Sequence, residues 1–219
     1  MPLDPVNFSA YARFFGLFSL FALVPFVLVL MTSFTRISIV LTFLKQALSI
    51  SVPSTHLIIG LSLILTGYVM HPVFTEIYEK AVVPYVDSEK KDERTLLADS
   101  WSPLRTFMLQ HTREKDLELF LEMGKVSIPK NALADPSWIP WYCVIPSFVI
   151  SELRVAFMMG FLLFLPFLVI DMVITSLLMA MGMVMLPPVM ISFPFKILLF
   201  VIVDGWHLVV QQVVYGYQR

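Results

Sequence analysis

Met179-Ala180-Met181-Gly182-Met183-Val184-Met185-Leu186-Pro187-Pro188 separates two long apolar runs, and its reading decides the fold. Four methionines stand at every second position. Helical neighbours lie three and four residues apart, so this alternation does not keep them on one helical face and suits extended or irregular backbone. Methionine is flexible and fills irregular gaps. With the Pro-Pro pair closing the stretch, it reads as the tip of a helical hairpin carrying a soft apolar plug. Core methionines of a membrane helix are the plainer alternative, and spacing alone leaves both open.

Working outward, Ile145 to Leu186 precedes the tip and Ser192 to Tyr217 follows it. The first of these runs would exceed about 50 Å as a straight helix, so a break or bend near Pro166 is expected. Nearer the N-terminus, Phe14 to Thr35 is uncharged and long enough to cross a hydrocarbon core of roughly 30 Å, with a kink expected at Pro25. Asp4 precedes the first cation, Arg13, which does not read as a signal peptide. An amphipathic linker, Thr35 to Thr55, carries Arg36 and Lys45 and ends in a turn at Ser51-Val52-Pro53-Ser54, with Ser54 or Thr55 as a helix cap. Leu57 to Phe74, which includes Gly60, Gly67 and His71-Pro72, is a marginal span by length.

The whole chain of 219 residues is 58% hydrophobic and 14% charged, with a mean hydropathy of +0.82. This is membrane-protein composition. Residues 80–135 hold nine of the fifteen Lys and Arg and ten of the sixteen acids. The order is therefore apolar, polar insert, apolar: N-terminal helices over 1–79, a partly helical insert over 80–140, and a hairpin over 141–219 with its loop at 179–188. A net charge of −1 leaves no basic stripe for nucleic acid. The single Cys143 forms no disulfide within the chain and reads as a small buried apolar residue.

Within the insert, Ser102-Pro103 looks like a helix start. Leu104, Phe107, Met108, His111, Leu117, Phe120 and Leu121 form a helical stripe, and Gly124 is a natural stop. Arg113-Glu114-Lys115-Asp116 reads as a solvated face. Pro129, Pro136, Trp138, Pro140 and Trp141 close the insert in the manner of a membrane–water interface. By charge count, Lys80, Lys90, Lys91, Lys125 and Lys130 outweigh Arg36 and Lys45, which tilts the insert toward the cytoplasm.

Glu152, Arg154, Asp171, Lys196 and Asp204 fall in or beside the last two apolar elements. A charge at the bilayer centre costs about 2.5–3.5 kcal/mol on insertion scales, so such groups are usually paired, interior or facing water. Counted from the Pro-Pro tip, Asp171 and Asp204 lie level, whereas Lys196 sits roughly 12 Å from the Asp171 level. On that count Asp171 and Lys196 pair between staggered subunits. Arg154 and Asp204 are further candidates for buried polar residues.

The motifs of enzymes are missing: no phosphate-cradling loop, dinucleotide fingerprint, HExxH or nucleophile elbow is present. His56, His71, His111 and His207 lie far apart in sequence. We expect no enzyme, no catalytic residue, no metal site and no cofactor.

Nine blocks occur in a fixed order: Thr32-Ser33-Phe34-Thr35-Arg36-Ile37, Pro103-Leu104-Arg105-Thr106-Phe107-Met108, Thr112-Arg113-Glu114-Lys115-Asp116-Leu117, Ser151-Glu152-Leu153, Pro166-Phe167-Leu168-Val169-Ile170-Asp171, Met179-Ala180-Met181-Gly182-Met183, Pro187-Pro188, Phe193-Pro194-Phe195-Lys196 and Val203-Asp204-Gly205-Trp206. As a set, from about residue 20 to 212, they resemble the FliP family of flagellar type III export-gate proteins and, more distantly, the injectisome SctR proteins. The resemblance implies an all-α chain of membrane-protein-like hairpins assembling into a helical, cone-shaped oligomer. It implies about five copies with four FliQ-like and one FliR-like subunits, beside other membrane components of the export apparatus and membrane lipid. Unfolded secreted proteins would pass through the channel. It implies a place in the bacterial inner membrane and flagellar basal body, with the insert on the periplasmic side, against the charge count. It maps a methionine gasket onto Met183, Val184 and Met185, with Val184 where many relatives carry methionine. It maps intersubunit polar contacts onto Glu152, Asp171 and Lys196. The readings kept beside it are an injectisome gate subunit and a proton-coupled transporter using Asp171 and Asp204.

Overall fold

The computed structural model describes residues 18, 22, 25–49, 55–87, 93–126, 138–183 and 185–217. Among them the elements are helices and no strand is present. In chain order they are α1 (Pro25–Met31), α2 (Phe34–Ala47), α3 (Thr55–Ile77), a π turn over Tyr78–Val82, α4 (Val83–Asp87), α5 (Glu93–His111), α6 (Glu114–Met123), α7 (Trp141–Ala180), α8 (Pro188–Ile202) and α9 (Gly205–Tyr215). The chain is an all-α protein of membrane type. The turn expected at Ser51-Val52-Pro53-Ser54, the prolines Pro129 and Pro136, and Val184 lie outside the described residues.

Helix α7 organises the rest. Its 40 residues run as one continuous helix through both Pro146 and Pro166, so of the break or bend expected near Pro166 the break does not occur. Each proline removes one backbone donor. In a helix this long and apolar, the neighbouring turns keep the remaining ladder intact. At about 1.5 Å per residue, α7 is a rod of about 60 Å.

Different stretches of that rod meet different partners. Near its N-terminal end, Cys143, Val144 and Phe148 share a core with Phe107 and Met108 of α5, Leu121 of α6 and Met70 of α3. Further along, Ala156 and Phe167 join a second core built on Ile37, Val40, Leu41 and Leu44 of α2, with Phe200 of α8 and Val209 and Val213 of α9. Two glycines bring these surfaces close. A Cβ on Gly160 would stand 2.5 Å from the Phe43 ring of α2, and one on Gly205 would stand 2.2 Å from Phe200. Cys143 is buried, as its reading predicted, and its thiol faces the Phe120 carbonyl at 3.4 Å.

Three boundaries differ from the sequence reading. The chain bends by 80° between α1 and α2 at Thr32-Ser33, while the kink expected at Pro25 falls against residues outside the described ones. The Thr32 hydroxyl donates to the Leu28 carbonyl and accepts the Phe34 N–H, a local substitute for the helix ladder. The marginal span Leu57–Phe74 is in fact part of a 32-residue apolar stretch, Thr55–Val86, because the helix continues past His71-Pro72 through the π turn. Finally, α5 starts at Glu93 and encloses Ser102-Pro103. Leu96-Leu97-Ala98 are strong helix formers and carry the helix ahead of the proline.

The outer faces of α3, α7 and α8 remain strongly apolar. Ile64, Phe161, Leu162, Met172, Met190 and Ile202 are all more than half exposed. An apolar surface this extensive belongs against lipid or other subunits rather than water.

Candidate functional site

The hairpin tip is closed by a defined helix cap. At the end of α7, the Gly182 N–H donates to the Met179 carbonyl and the Met183 N–H to the Leu178 carbonyl, with Gly182 at φ +71°. This is a Schellman cap, which uses a left-handed residue just past the helix. Met179 is therefore in the last turn of α7 and Met181 is its C-cap, while Met183 and Met185 stand beyond the helix. Pro187 and Pro188 then start α8, with Pro188 in the first helical position, where a missing N–H costs nothing. Between the two helices Met185 is 98% exposed, and Met181, Met183 and Leu186 are also exposed. Replacing Gly182 with alanine should cost about 1–2 kcal/mol from the left-handed backbone, read as a lower unfolding midpoint. Ser176→Ala, on the same helix, should leave that midpoint nearly unchanged.

Below the tip, α7 and α8 are joined by charge. Lys196 Nζ lies 2.6 Å from Asp171 Oδ2 and 2.9 Å from the Ser49 hydroxyl just past α2. Ser192 donates to Asp171 Oδ1 at 2.6 Å. The Lys196 side chain is 1% exposed and that of Asp171 32%. Asp171 and Lys196 thus meet within one chain, which the count from the Pro-Pro tip did not allow. The loop occupies residues 181–187, so the count must start at the helix ends. Asp171 lies nine residues before Ala180 and Lys196 eight residues after Pro188. Their levels then agree to within about 2 Å. Asp204 is not level with Asp171: α8 and α9 meet at a 63° bend, where Asp204 takes a left-handed φ of 49°. Asp204, at this bend, and Arg154, on α7, are both exposed on this chain, not buried as expected.

A second polar cluster lies about 28 Å further down α7, at Glu152. The guanidinium of Arg36, in the first turn of α2, grips the Glu152 carboxylate with two nitrogens, Nε at 2.8 Å from Oε2 and Nη2 against Oε1. The pair is buried. The Tyr217 hydroxyl donates to the same carboxylate, while its ring lies under the Arg36 guanidinium at 3.8 Å. Burial, and after it the Glu152 carboxylate, push the Tyr217 phenol well above its ordinary pKa, so it stays a donor. One residue back along α7, Ser151 donates to Asp116 at 2.7 Å and accepts the Arg113 N–H at 3.0 Å. Half of the expected solvated face is thus a docking contact of α6 on α7. Arg36, Tyr217, Ser49 and Ser192 were not singled out as partners by sequence reasoning. Arg36 carried the one usable signal, a cation placed directly after the uncharged run Phe14 to Thr35.

No group of three or more metal-ligating side chains occurs among the described residues. The sequence model of the FliP family matches residues 17–213. The chain belongs to the FliP family. The flagellar biosynthetic protein FliP of Bacillus subtilis (strain 168) is 47% identical over 216 residues, covering 98% of this chain and 95% of that protein. The FliP of Treponema pallidum (strain Nichols) is 45% identical, over 92% of this chain and 73% of its own length. The FliP of Aquifex aeolicus (strain VF5) is 44% identical, over 91% and 83%.

Proposed function

We propose that this FliP-family chain is a channel subunit of the flagellar protein export gate and that its α7–α8 tip seals the closed pore. Family membership supports a component of the flagellar export apparatus, working in the membrane beside other components of that apparatus. The observation that carries the gate reading is Met185, 98% exposed at the end of a helical rod of about 60 Å. A large flexible apolar side chain placed there has nothing to pack on in its own chain. Copies arranged around an axis, about five with four FliQ-like and one FliR-like subunits, give Met183, Val184 and Met185 one another as partners. Thioethers in such a ring close on themselves and deform around an unfolded substrate. The polar insert, 80–140, faces the periplasm in this arrangement, and the exposed faces of α3 and α7 meet neighbouring subunits and lipid.

The proposal is tested by replacing Met183 and Met185 with alanine in the assembled complex and measuring ion leak in cells or liposomes. Leak rises while assembly is unchanged; Met190→Ala, on the flank of α8, leaves leak at its starting level. An unchanged leak in the Met183→Ala/Met185→Ala variant rules the gasket out. The injectisome alternative gains no support from relatives described as flagellar biosynthetic proteins. A proton-coupled transporter needs Asp171 free to load and release a proton, whereas Asp171 is held by Lys196 and Ser192.

A further inference from the structure

The imidazole of His111 stands between two carbonyl oxygens. Its Nδ1 lies 2.8 Å from the Phe107 carbonyl, one turn back on α5, and its Nε2 lies 3.4 Å from the Tyr217 carbonyl past α9. A neutral imidazole has one N–H and one lone pair; the imidazolium has two N–H donors. The neutral ring therefore satisfies one carbonyl and aims a lone pair at the other. Only the protonated ring donates to both. The ring is also packed between Phe107, at 4.6 Å, and Tyr217, at 4.9 Å, so it cannot turn away without losing both contacts.

The surrounding charges leave room for that proton. From α2 comes Arg36, whose charge is matched by Glu152 of α7. From the C-terminal end come the phenol of Tyr217, which bonds Glu152, and Tyr215. From the start of α6, Arg113 and Asp116 pair with each other at 3.6 Å and engage Ser151. His71 of α3 lines a neighbouring cleft with Tyr217. A cavity of about 700 Å³ between α5, α7 and α9, lined by Gln110, His111 and Gln212 among others, gives the half-buried ring a route to solvent protons.

We propose that His111 is a proton-operated catch: protonated, it ties α5 of the insert to the C-terminal Tyr217, and loss of the proton releases that tie. The catch acts through Tyr217. Holding the Tyr217 backbone keeps its hydroxyl on Glu152 and its ring against Arg36, so His111 is a positioning residue for the buried ion pair. With a carbonyl facing each ring nitrogen, an added proton makes the tie and its loss removes it, so the tie is stronger at lower pH. This device stands independently of the gate reading.

Hydrogen exchange on the full-length purified chain reads the tie directly. The Gly216 and Tyr217 amides bond the Gln212 and Val214 carbonyls and fall silent only while this segment is held. After correction for chemical exchange, protection should be about tenfold greater at about pH 5.5 than at about pH 8, the size expected of a hydrogen bond to a charged group. His111→Gln should flatten that dependence. Tyr217→Phe should lower protection at both pH values and keep the dependence. A pH-independent wild type, or a dependence that survives in His111→Gln, overturns the proposal. Should His111→Gln fail to fold, the ¹⁵N shifts of labelled histidine in the wild type decide: both His111 nitrogens protonated at about pH 5.5 supports the catch, and a neutral ring there overturns it.

Discussion

Replacing Glu152 with leucine is expected to lower stability by about 3–5 kcal/mol, since it leaves the Arg36 guanidinium buried without its counter-charge. Arg36→Met should cost a similar amount by stranding the carboxylate. The two losses should not add. In the Arg36→Met/Glu152→Leu double variant both desolvation penalties vanish, and most of the loss should be recovered. Two further groups depend on the pair, the Tyr217 hydroxyl and the ring beneath the guanidinium. Tyr217→Phe isolates the first of these and should cost about 1–2 kcal/mol. Unfolding of the full chain in micelles, followed by tryptophan fluorescence, gives all four values. Additive losses in the double variant would show that Arg36 and Glu152 act separately, against the geometry described.

Reversing either charge at the upper cluster should be nearly as damaging. Lys196→Asp places two acids together at a buried position, and Asp171→Lys places two cations there. Each should cost about 2–4 kcal/mol, somewhat below the Glu152 figure because Asp171 is one-third exposed and partly screened. The Asp171→Lys/Lys196→Asp exchange separates two arrangements of the same residues. If the contact is made within one chain, the exchange restores the stability of the isolated chain. Restoration only in the assembled complex would place the contact between chains and refute the in-chain pairing. The Ser192 and Ser49 hydroxyls both donate and accept, so they can serve either polarity and do not block the rescue.

Sequence reasoning reached the class of fold, the insert and the hairpin because each rests on local signals: runs of apolar residues, a charge-rich interval, and the alternating methionines closed by Pro187-Pro188. It lost the pairing of Asp171 with Lys196 because it took the prolines as the turning point, and the true loop spends seven residues. It lost the Arg36–Glu152–Tyr217 cluster because those residues are more than sixty positions apart, and nothing in periodicity links them. Arg154 and Asp204 were taken as buried because charge in an apolar run suggests a buried pair. On this chain they face outward, a position that local composition does not reveal. The continuous course of α7 through Pro166 is a case where the cost of one lost hydrogen bond is outweighed by the packing of the turns around it.

Smooth aliphatic surfaces can slide past one another by a turn and still fit, since one leucine is much like the next. Helices α2 and α7 run side by side in the same direction and are pinned at both ends of α2, at Arg36 and at Ser49. Slippage by a single turn, about 5.4 Å, would unseat both pins together. The two clusters thus act as the teeth of a key, giving a greasy joint one permitted position. A force delivered at the methionine tip is then passed along α7 as a push on a fixed rod, and it reaches the insert without being lost to creep between the helices.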